Sequence, residues 1–188
     1  MTFTEKSNRI FWNVCLDYHK RNSVDACMQN PYKTSTIEYL LYKKCWIDTV
    51  KCHLENKLRN PEIEHITALY IKKRIEKSGQ DSINLIEIID NYFRDKYKDV
   101  DVSPDAVAAP KSPALIIDRL SVLALKIYHM KQEAERTDIS TEHIQKCRAK
   151  LDVLTEQRTN LSEEIENLLN EIESGRQYIK EYNSMEMQ

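Results

Sequence analysis

Apolar residues recur along the chain at intervals of three and four, the spacing that places side chains on one face of an α-helix. The longest such run covers residues 144–172 without a slip, in a coiled-coil-like pattern. It consists of Ile144, Cys147, Leu151, Leu154, Arg158, Leu161, Ile165, Leu168 and Ile172. The preceding segment carries a partner run of Ile116, Leu120, Leu123, Ile127, Met130 and Ala134. Because only a short loop separates the two runs, they predict an antiparallel helical hairpin over residues 114–174.

The first half of the chain repeats this pattern 76 residues earlier. The octamers at residues 84–91 and 160–167 share the sequence N-L-x-E-x-I-x-N. Around the first octamer the run continues through Ile71, Ile75, Ser78, Ser82, Leu85, Ile89 and Tyr92. Repetition at a fixed offset predicts a duplicated structural unit, here a related antiparallel hairpin over residues 35–97. Ser82 falls where Arg158 falls in the second copy, so both runs are polar at that level.

Several residues indicate where the helices begin and end. Ser35 and Glu38 have the spacing of a capping box, which predicts a helix start. Asn60-Pro61 interrupts the first hairpin between its two helices, because proline cannot continue a helix interior. Ser112-Pro113 combines a good N-cap with a proline at the first helical position. Gly175 offers a C-terminal cap.

These patterns together predict an all-α fold, a single-domain bundle of about five helices that spans residues 1–188. It comprises two related antiparallel helical hairpins plus an N-terminal helix. The predicted parts are the N-terminal helix at 4–21, the first hairpin at 35–97, a linker at 98–113, the second hairpin at 114–174 and a C-terminal tail at 175–188.

Composition narrows the possible function classes. Two glycines in 188 residues are too few for glycine-rich loops that bind phosphates or dinucleotides. A formal net charge of −2 does not predict a surface for nucleic acid or anionic lipid. The sequence shows neither a signal peptide nor an apolar stretch of transmembrane length. The five cysteines are odd in number and lack C-x-x-C spacing, so we expect a cytoplasmic protein with reduced thiols. From the net charge and the lack of a long apolar stretch, we expect no nucleic-acid or membrane partner.

Arg158 is the only charged residue in the apolar run of the second hairpin. A buried guanidinium is costly unless it meets a carboxylate, reaches solvent or holds an anion. The facing helix carries Asp118, Arg119, Lys126 and His129 beside its apolar positions. Two interpretations remain open, an internal ion pair that sets the register or a binding pocket. In the second, Arg119 and Arg158 grip an anionic small molecule such as a phosphate or a sugar nucleotide.

Acidic residues support an alternative function. Glu87-x-x-Asp90 and Glu163-x-x-Glu166 occupy equivalent positions in the two copies. Carboxylates three positions apart on a helix can share a hard divalent cation such as Mg²⁺. The alternative is therefore a metal-dependent hydrolase of nucleotides or phosphate esters, with Mg²⁺ as its cofactor. No other cofactor is indicated by the sequence.

A third interpretation is purely structural, with charges paired internally and a homo-oligomer formed through aromatic residues. Aromatic side chains are concentrated in the first quarter of the chain, at Trp12, Tyr18, Tyr32, Tyr39, Tyr42 and Trp46. They could instead anchor the N-terminal helix to the bundle. Cys45, Cys52 and His53 lie close together in sequence, but without further ligands they do not predict a zinc site.

Several segments also resemble a known family. Residues 117–130, which include Asp118-Arg119-Leu120-Ser121, and residues 156–161 are similar to the bacterial domain of unknown function 4254 (DUF4254). Further similar positions are Tyr18, His19, Asn22, Trp46, His53, Leu54, Glu55, Arg59, His143, Cys147, Lys150 and Leu151. The resemblance covers most of the chain and implies a small helical bacterial protein without an assigned activity.

Overall fold

The computed structural model of the protein describes residues 1–180. It contains five helices, α1 (Phe3–Arg21), α2 (Ile37–Leu58), α3 (His65–Lys96), α4 (Pro113–Ala134) and α5 (Thr141–Glu173). Two short strands, β1 (Val107–Ala108) and β2 (Gln177–Tyr178), complete the described elements. The predicted all-α bundle is confirmed, and the predicted helix positions agree with the structure to within about two residues.

Consecutive helices form the two predicted hairpins. The α2–α3 and α4–α5 pairs have the most extensive interfaces among the described elements. In the second hairpin, His143 Nε2 lies 3.2 Å from Glu133 Oε1 beside the connecting loop. At the opposite end Lys111 Nζ donates a hydrogen bond of 2.6 Å to Glu164 Oε1. Contacts at both ends show that α4 and α5 run antiparallel along their shared length.

The α1 helix belongs to the core. Its Ile10, Phe11, Val14, Cys15 and Tyr18 are at most 1% exposed and pack against α2 and α4. Full burial of each large apolar side chain contributes roughly 1.5–3 kcal/mol relative to exposure. The helix is therefore held by its apolar face.

One predicted cap is wrong by a residue, and two are confirmed. The N-cap of α2 is Thr36 rather than Ser35, because its hydroxyl accepts a hydrogen bond of 3.3 Å from the Tyr39 amide. Ser112 caps α4 ahead of Pro113, as expected. Gly175 follows α5 with a φ of 71°, a left-handed conformation that favours glycine. A Cβ at this position would lie 2.2 Å from the Asp101 carbonyl oxygen, so the close approach also requires glycine.

The predicted linker and tail contain a short parallel pairing that the sequence did not indicate. The amide of Val107 donates to the Arg176 carbonyl at 3.2 Å, and that of Ala109 donates to the Tyr178 carbonyl at 2.9 Å. The pairing fastens the α3–α4 connection to the end of α5. The rest of the predicted tail, residues 181–188, lies outside the described residues.

The N-terminal halves of α3 and α5 pack less tightly than their C-terminal halves. Leu85, Ile89 and Phe93 on α3 are at most 2% exposed, whereas Ser78 and Ser82 are only half-buried. On α5, residues 165–172 bury their apolar face, but Leu151 and Leu154 are half-buried. The looser packing leaves a space between the two hairpins. Across residues 1–180, no helix carries an apolar stretch long enough to cross a bilayer.

Candidate functional site

A cavity of about 900 Å³ lies between the two hairpins. All four hairpin helices contribute to its wall, with α2 and α4 supplying most of the side chains. Its volume falls in the usual range of small-molecule sites, roughly 300–1,000 Å³. The apolar part of the wall is formed by Val122, Leu125, Met130, Ala149, Val153 and Leu154. The cavity is therefore large enough for a small molecule with an apolar portion.

Basic side chains surround this apolar wall. Lys126 and Lys150 are exposed at the cavity rim, and neither has an ion-pair partner among residues 1–180. Arg59 also lines the cavity, and its guanidinium donates a hydrogen bond of 3.1 Å to the neutral side chain of Asn56. Lys51 lies 4.0 Å from Glu55 in an exposed pair of the kind that contributes little to stability. The rim consequently offers positive charge to a ligand.

A buried lysine organises the acidic side of the cavity. Lys44 is fully buried, and its ammonium contacts Asp48 and Asp118, each at 2.6 Å. Ser121 Oγ donates to Asp48 Oδ2 at 2.5 Å, which satisfies the buried carboxylate further. Burial by itself lowers the pKa of Lys44, but the two carboxylates outweigh it and raise that pKa above its ordinary value. Lys44 is therefore charged at neutral pH and holds Asp118 at the cavity wall.

Three histidines from three helices meet beside the cavity. His19 comes from α1, His53 from α2 and His129 from α4, and one ring nitrogen of each lies within 4.8 Å of the others. The Nε2 atoms of His19 and His53 are 3.2 Å apart. His129 lines the cavity, and His53 lines a separate, smaller hollow of about 350 Å³. The cluster therefore borders two spaces.

Aromatic packing holds these imidazole rings in place. Tyr128 stacks on His19 with ring centroids 4.4 Å apart, and Tyr18 stacks on His53 at 4.7 Å. Burial, reinforced by the neighbouring histidines, lowers the pKa of His53 to about 4. Burial and the proximity of His19 also lower the pKa of His129. Both His53 and His129 are consequently neutral at physiological pH.

Comparison with known proteins identifies the family. The model of the family described as protein of unknown function (DUF4254) matches residues 38–181, which is most of the chain. The chain belongs to the DUF4254 family. No curated protein and no solved structure matches it.

The matched segment of this DUF4254 protein begins one residue into α2 and includes the cavity-lining residues. His53 and His129 also lie inside it. The α1 helix, which supplies His19, precedes it. The cavity is thus built entirely from family-matched sequence, whereas the histidine cluster also needs the N-terminal helix.

The structure brings together three of the five residues predicted to bind an anion. Asp118, Lys126 and His129 line the cavity. Arg119 is exposed and does not belong to its lining. Arg158 is half-buried and lines a separate open groove between α1 and α5. The two arginines therefore do not share a pocket, and neither lines the cavity between the hairpins.

Two of the four carboxylates of the predicted magnesium site, Asp90 and Glu166, are hydrogen-bonded at the starts of other helices. Asp90 accepts a hydrogen bond of 2.9 Å from the Ala114 amide, at the start of α4. Glu166 accepts bonds of 2.7 Å from both the amide and the hydroxyl of Thr4, at the start of α1. Glu87 is exposed, and Glu163 lines the α1–α5 groove. Within residues 1–180, acidic side chains do not converge in threes as the histidines do.

The aromatic residues of the first quarter are mostly internal. Tyr18, Tyr42 and Trp46 are at most 6% exposed, and Trp12, Tyr32 and Tyr39 are half-buried. Trp12 packs edge-on against Tyr128 of α4 with centroids 5.4 Å apart. These residues therefore anchor α1 to the bundle. Self-association through this region stays a prediction.

Three important side chains, Lys44, His19 and His53, were not predicted as site residues. Lys44 follows Lys43 between apolar residues, and the sequence does not distinguish which of the two lysines is buried. The histidines did leave a signal, because His53 and His129 are 76 residues apart, the same offset that relates the two apolar runs. Applied to α2 and α4, that offset pairs the two histidines from the sequence alone.

Proposed function

We propose that this DUF4254 protein binds an anionic small molecule of the nucleotide or sugar-nucleotide type in the cavity between its two hairpins. The observation that carries the proposal is the combination, in one cavity of about 900 Å³, of an apolar wall, a held carboxylate and unpaired lysines. A nucleotide presents the matching parts, namely a flat ring, hydroxyl groups and a phosphate.

The apolar wall suits a ring or another hydrophobic portion of the ligand. Val122, Leu125 and Met130 of α4 and Val153 of α5 all line the cavity. Burial of apolar ligand surface there contributes roughly 25 cal/mol per Å². Met130 adapts its shape to a bound group, because its side chain is unbranched and flexible.

The lysines of the rim suit a phosphate. Lys126 on α4 and Lys150 on α5 border the cavity from neighbouring helices. A hydrogen bond that involves a charged group contributes roughly 1.5–3 kcal/mol. With two such lysines at the rim, we expect the phosphorylated ligand to bind more tightly than the corresponding nucleoside.

Asp118 suits a hydroxyl group. Its carboxylate accepts hydrogen bonds, and the contact with buried Lys44 fixes its position without closing the cavity, since the Asp118 side chain is 32% exposed. A prepositioned acceptor loses less conformational freedom when the ligand binds. Asp118 thus provides orientation, while the lysines provide charge.

Calorimetry with the 188-residue chain tests this proposal. ADP and UDP-glucose are titrated in the presence of a chelator, and the uncharged nucleosides serve as ligand controls. We expect at least one of the two nucleotides to bind, and the double variant Lys126→Ala/Lys150→Ala to weaken that binding tenfold or more. Lys146→Ala is the matched control, because Lys146 lies on α5 in an exposed pair with Glu142, away from the cavity.

Two outcomes would contradict the proposal. One is that neither nucleotide binds at millimolar concentration. The other is that the double variant and the Lys146→Ala control bind equally well. If Arg158→Ala weakens binding instead, the ligand occupies the groove between α1 and α5.

A further inference from the structure

We propose that His19, His53 and His129 form a binding site for a divalent transition-metal ion of the Zn²⁺ class. Imidazole nitrogen is a preferred ligand of such ions. The proposal concerns different residues from the lysine rim, except that His129 borders both, and it does not depend on nucleotide binding.

The distances fit a shared ion. Two imidazole nitrogens bound to Zn²⁺ at about 2.0–2.1 Å in tetrahedral geometry lie about 3.3 Å apart. The Nε2 atoms of His19 and His53 are 3.2 Å apart. Since all three ligand nitrogens lie within 4.8 Å of one another, His129 needs to approach by no more than about 1.5 Å.

The proton positions also fit. His19 Nδ1 lies 2.6 Å from the carbonyl oxygen of Cys15, which can only accept a hydrogen bond. His19 Nδ1 therefore carries a ring proton, and its Nε2 lone pair faces His53, whose Nε2–H donates to it across 3.2 Å. An ion bound between these two nitrogens requires the His53 proton to shift to Nδ1. A backbone carbonyl in this position is one of the groups by which proteins orient a metal-binding histidine.

The third ring, that of His129, is available as a ligand. His129 Nε2 is buried and has no hydrogen-bond partner, an arrangement that costs free energy unless something else contacts the nitrogen. An ion would satisfy the unpaired nitrogen.

The surroundings leave one coordination position for a small ligand. In the described part of the chain, the metal-ligating cluster consists of the three histidines alone. Three protein ligands plus an open position is the arrangement of zinc sites that bind water or an exogenous oxygen. Because His129 borders the cavity, that oxygen could belong to a molecule bound there.

Titration of Zn²⁺ into the chelator-treated, tag-free full chain tests the site. We expect one ion per chain, and at least tenfold weaker binding in each of His19→Gln, His53→Gln and His129→Gln. His65→Gln and His143→Gln are matched controls, because both residues are exposed and lie outside the cluster. Cys27→Ser and Cys52→Ser control for binding by the two accessible thiols.

Cobalt provides a second measurement that does not depend on the variants' folding. We expect Co²⁺ in the wild-type chain to give the visible absorption of a four-coordinate site without a thiolate charge-transfer band. Absence of stoichiometric Zn²⁺ binding, wild-type affinity in any of the three cluster variants, or a thiolate band would overturn the proposal. Nucleotide binding measured with chelator present is unaffected by these outcomes, so the two proposals fail separately.

Discussion

At the scale of single residues, the buried ammonium of Lys44 is central to the cavity. It has two carboxylate partners, of which Asp48 is buried and Asp118 borders the open space. Removing one partner from a buried ion pair costs more than the pair itself contributes, because an uncompensated charge remains. The conformation of Asp118 at the cavity wall therefore depends on a residue that no ligand contacts.

We predict that Lys44→Ala lowers the free energy of unfolding by about 3–5 kcal/mol. Urea denaturation followed by circular dichroism measures the change. Lys43→Ala is the control, since Lys43 is half-buried and has no ion-pair partner among residues 1–180, and we expect a change below about 1 kcal/mol. The double variant Lys44→Met/Asp48→Asn should recover part of the loss, because it removes both buried charges. Equal stability of Lys44→Ala and Lys43→Ala would show that the network is not important for the fold.

At the scale of elements, the first turns of two helices donate backbone hydrogen bonds to carboxylates of other helices. Asp90 of α3 accepts from the α4 amide of Ala114, and Glu166 of α5 accepts from the α1 amide of Thr4. Asp90 and Glu166 are 76 residues apart, so the offset seen in the apolar runs extends to these contacts. A carboxylate near a helix N-terminus is stabilising because the free amides carry partial positive charge.

We predict that Asp90→Ala and Glu166→Ala each lower the free energy of unfolding by about 1–2 kcal/mol. The controls are Glu87→Ala and Glu163→Ala, whose carboxylates cap no helix, and we expect changes within about 0.5 kcal/mol. Thermal unfolding of the four variants gives the comparison. If millimolar Mg²⁺ raised the melting temperature and Glu87→Ala removed that rise, the hydrolase alternative would be favoured instead.

The same scale shows what periodicity can and cannot predict. The long apolar runs of α4 and α5 predict their helices, since a slip of one residue would rotate the apolar face by about 100° away from its partner. Two-residue strands carry no period, so the pairing of Val107 with Gln177 left no detectable pattern. The sequence does not distinguish Ser35 from Thr36 as the N-cap of α2, because both hydroxyl residues satisfy the same local rule.

At the scale of the whole molecule, the site depends on contacts between distant segments. Lys44 and Asp118 meet from two helices, and the three histidines meet from three. A single sequence does not reveal such contacts unless a repeat relates the segments. Asp118, Lys126 and His129 were predicted because one helical stripe contains them all. The apolar run of α5 predicts that Arg158 faces α4, but α5 also packs beside α1, and Arg158 lines the groove between those two helices.

We predict that the chain unfolds as a single cooperative unit. One hydrophobic cluster contains buried residues from all five helices, so neither hairpin has a separate core of comparable size. The transition followed by far-ultraviolet circular dichroism should coincide with that followed by the fluorescence of Trp12 and Trp46, which report on α1 and α2. Because the cavity lies between the hairpins, a ligand at 100 times its dissociation constant should shift both transitions together, by about 2.7 kcal/mol. Two separate transitions, or a ligand shift in only one signal, would mean that the hairpins fold independently and that the cavity is not shared between them.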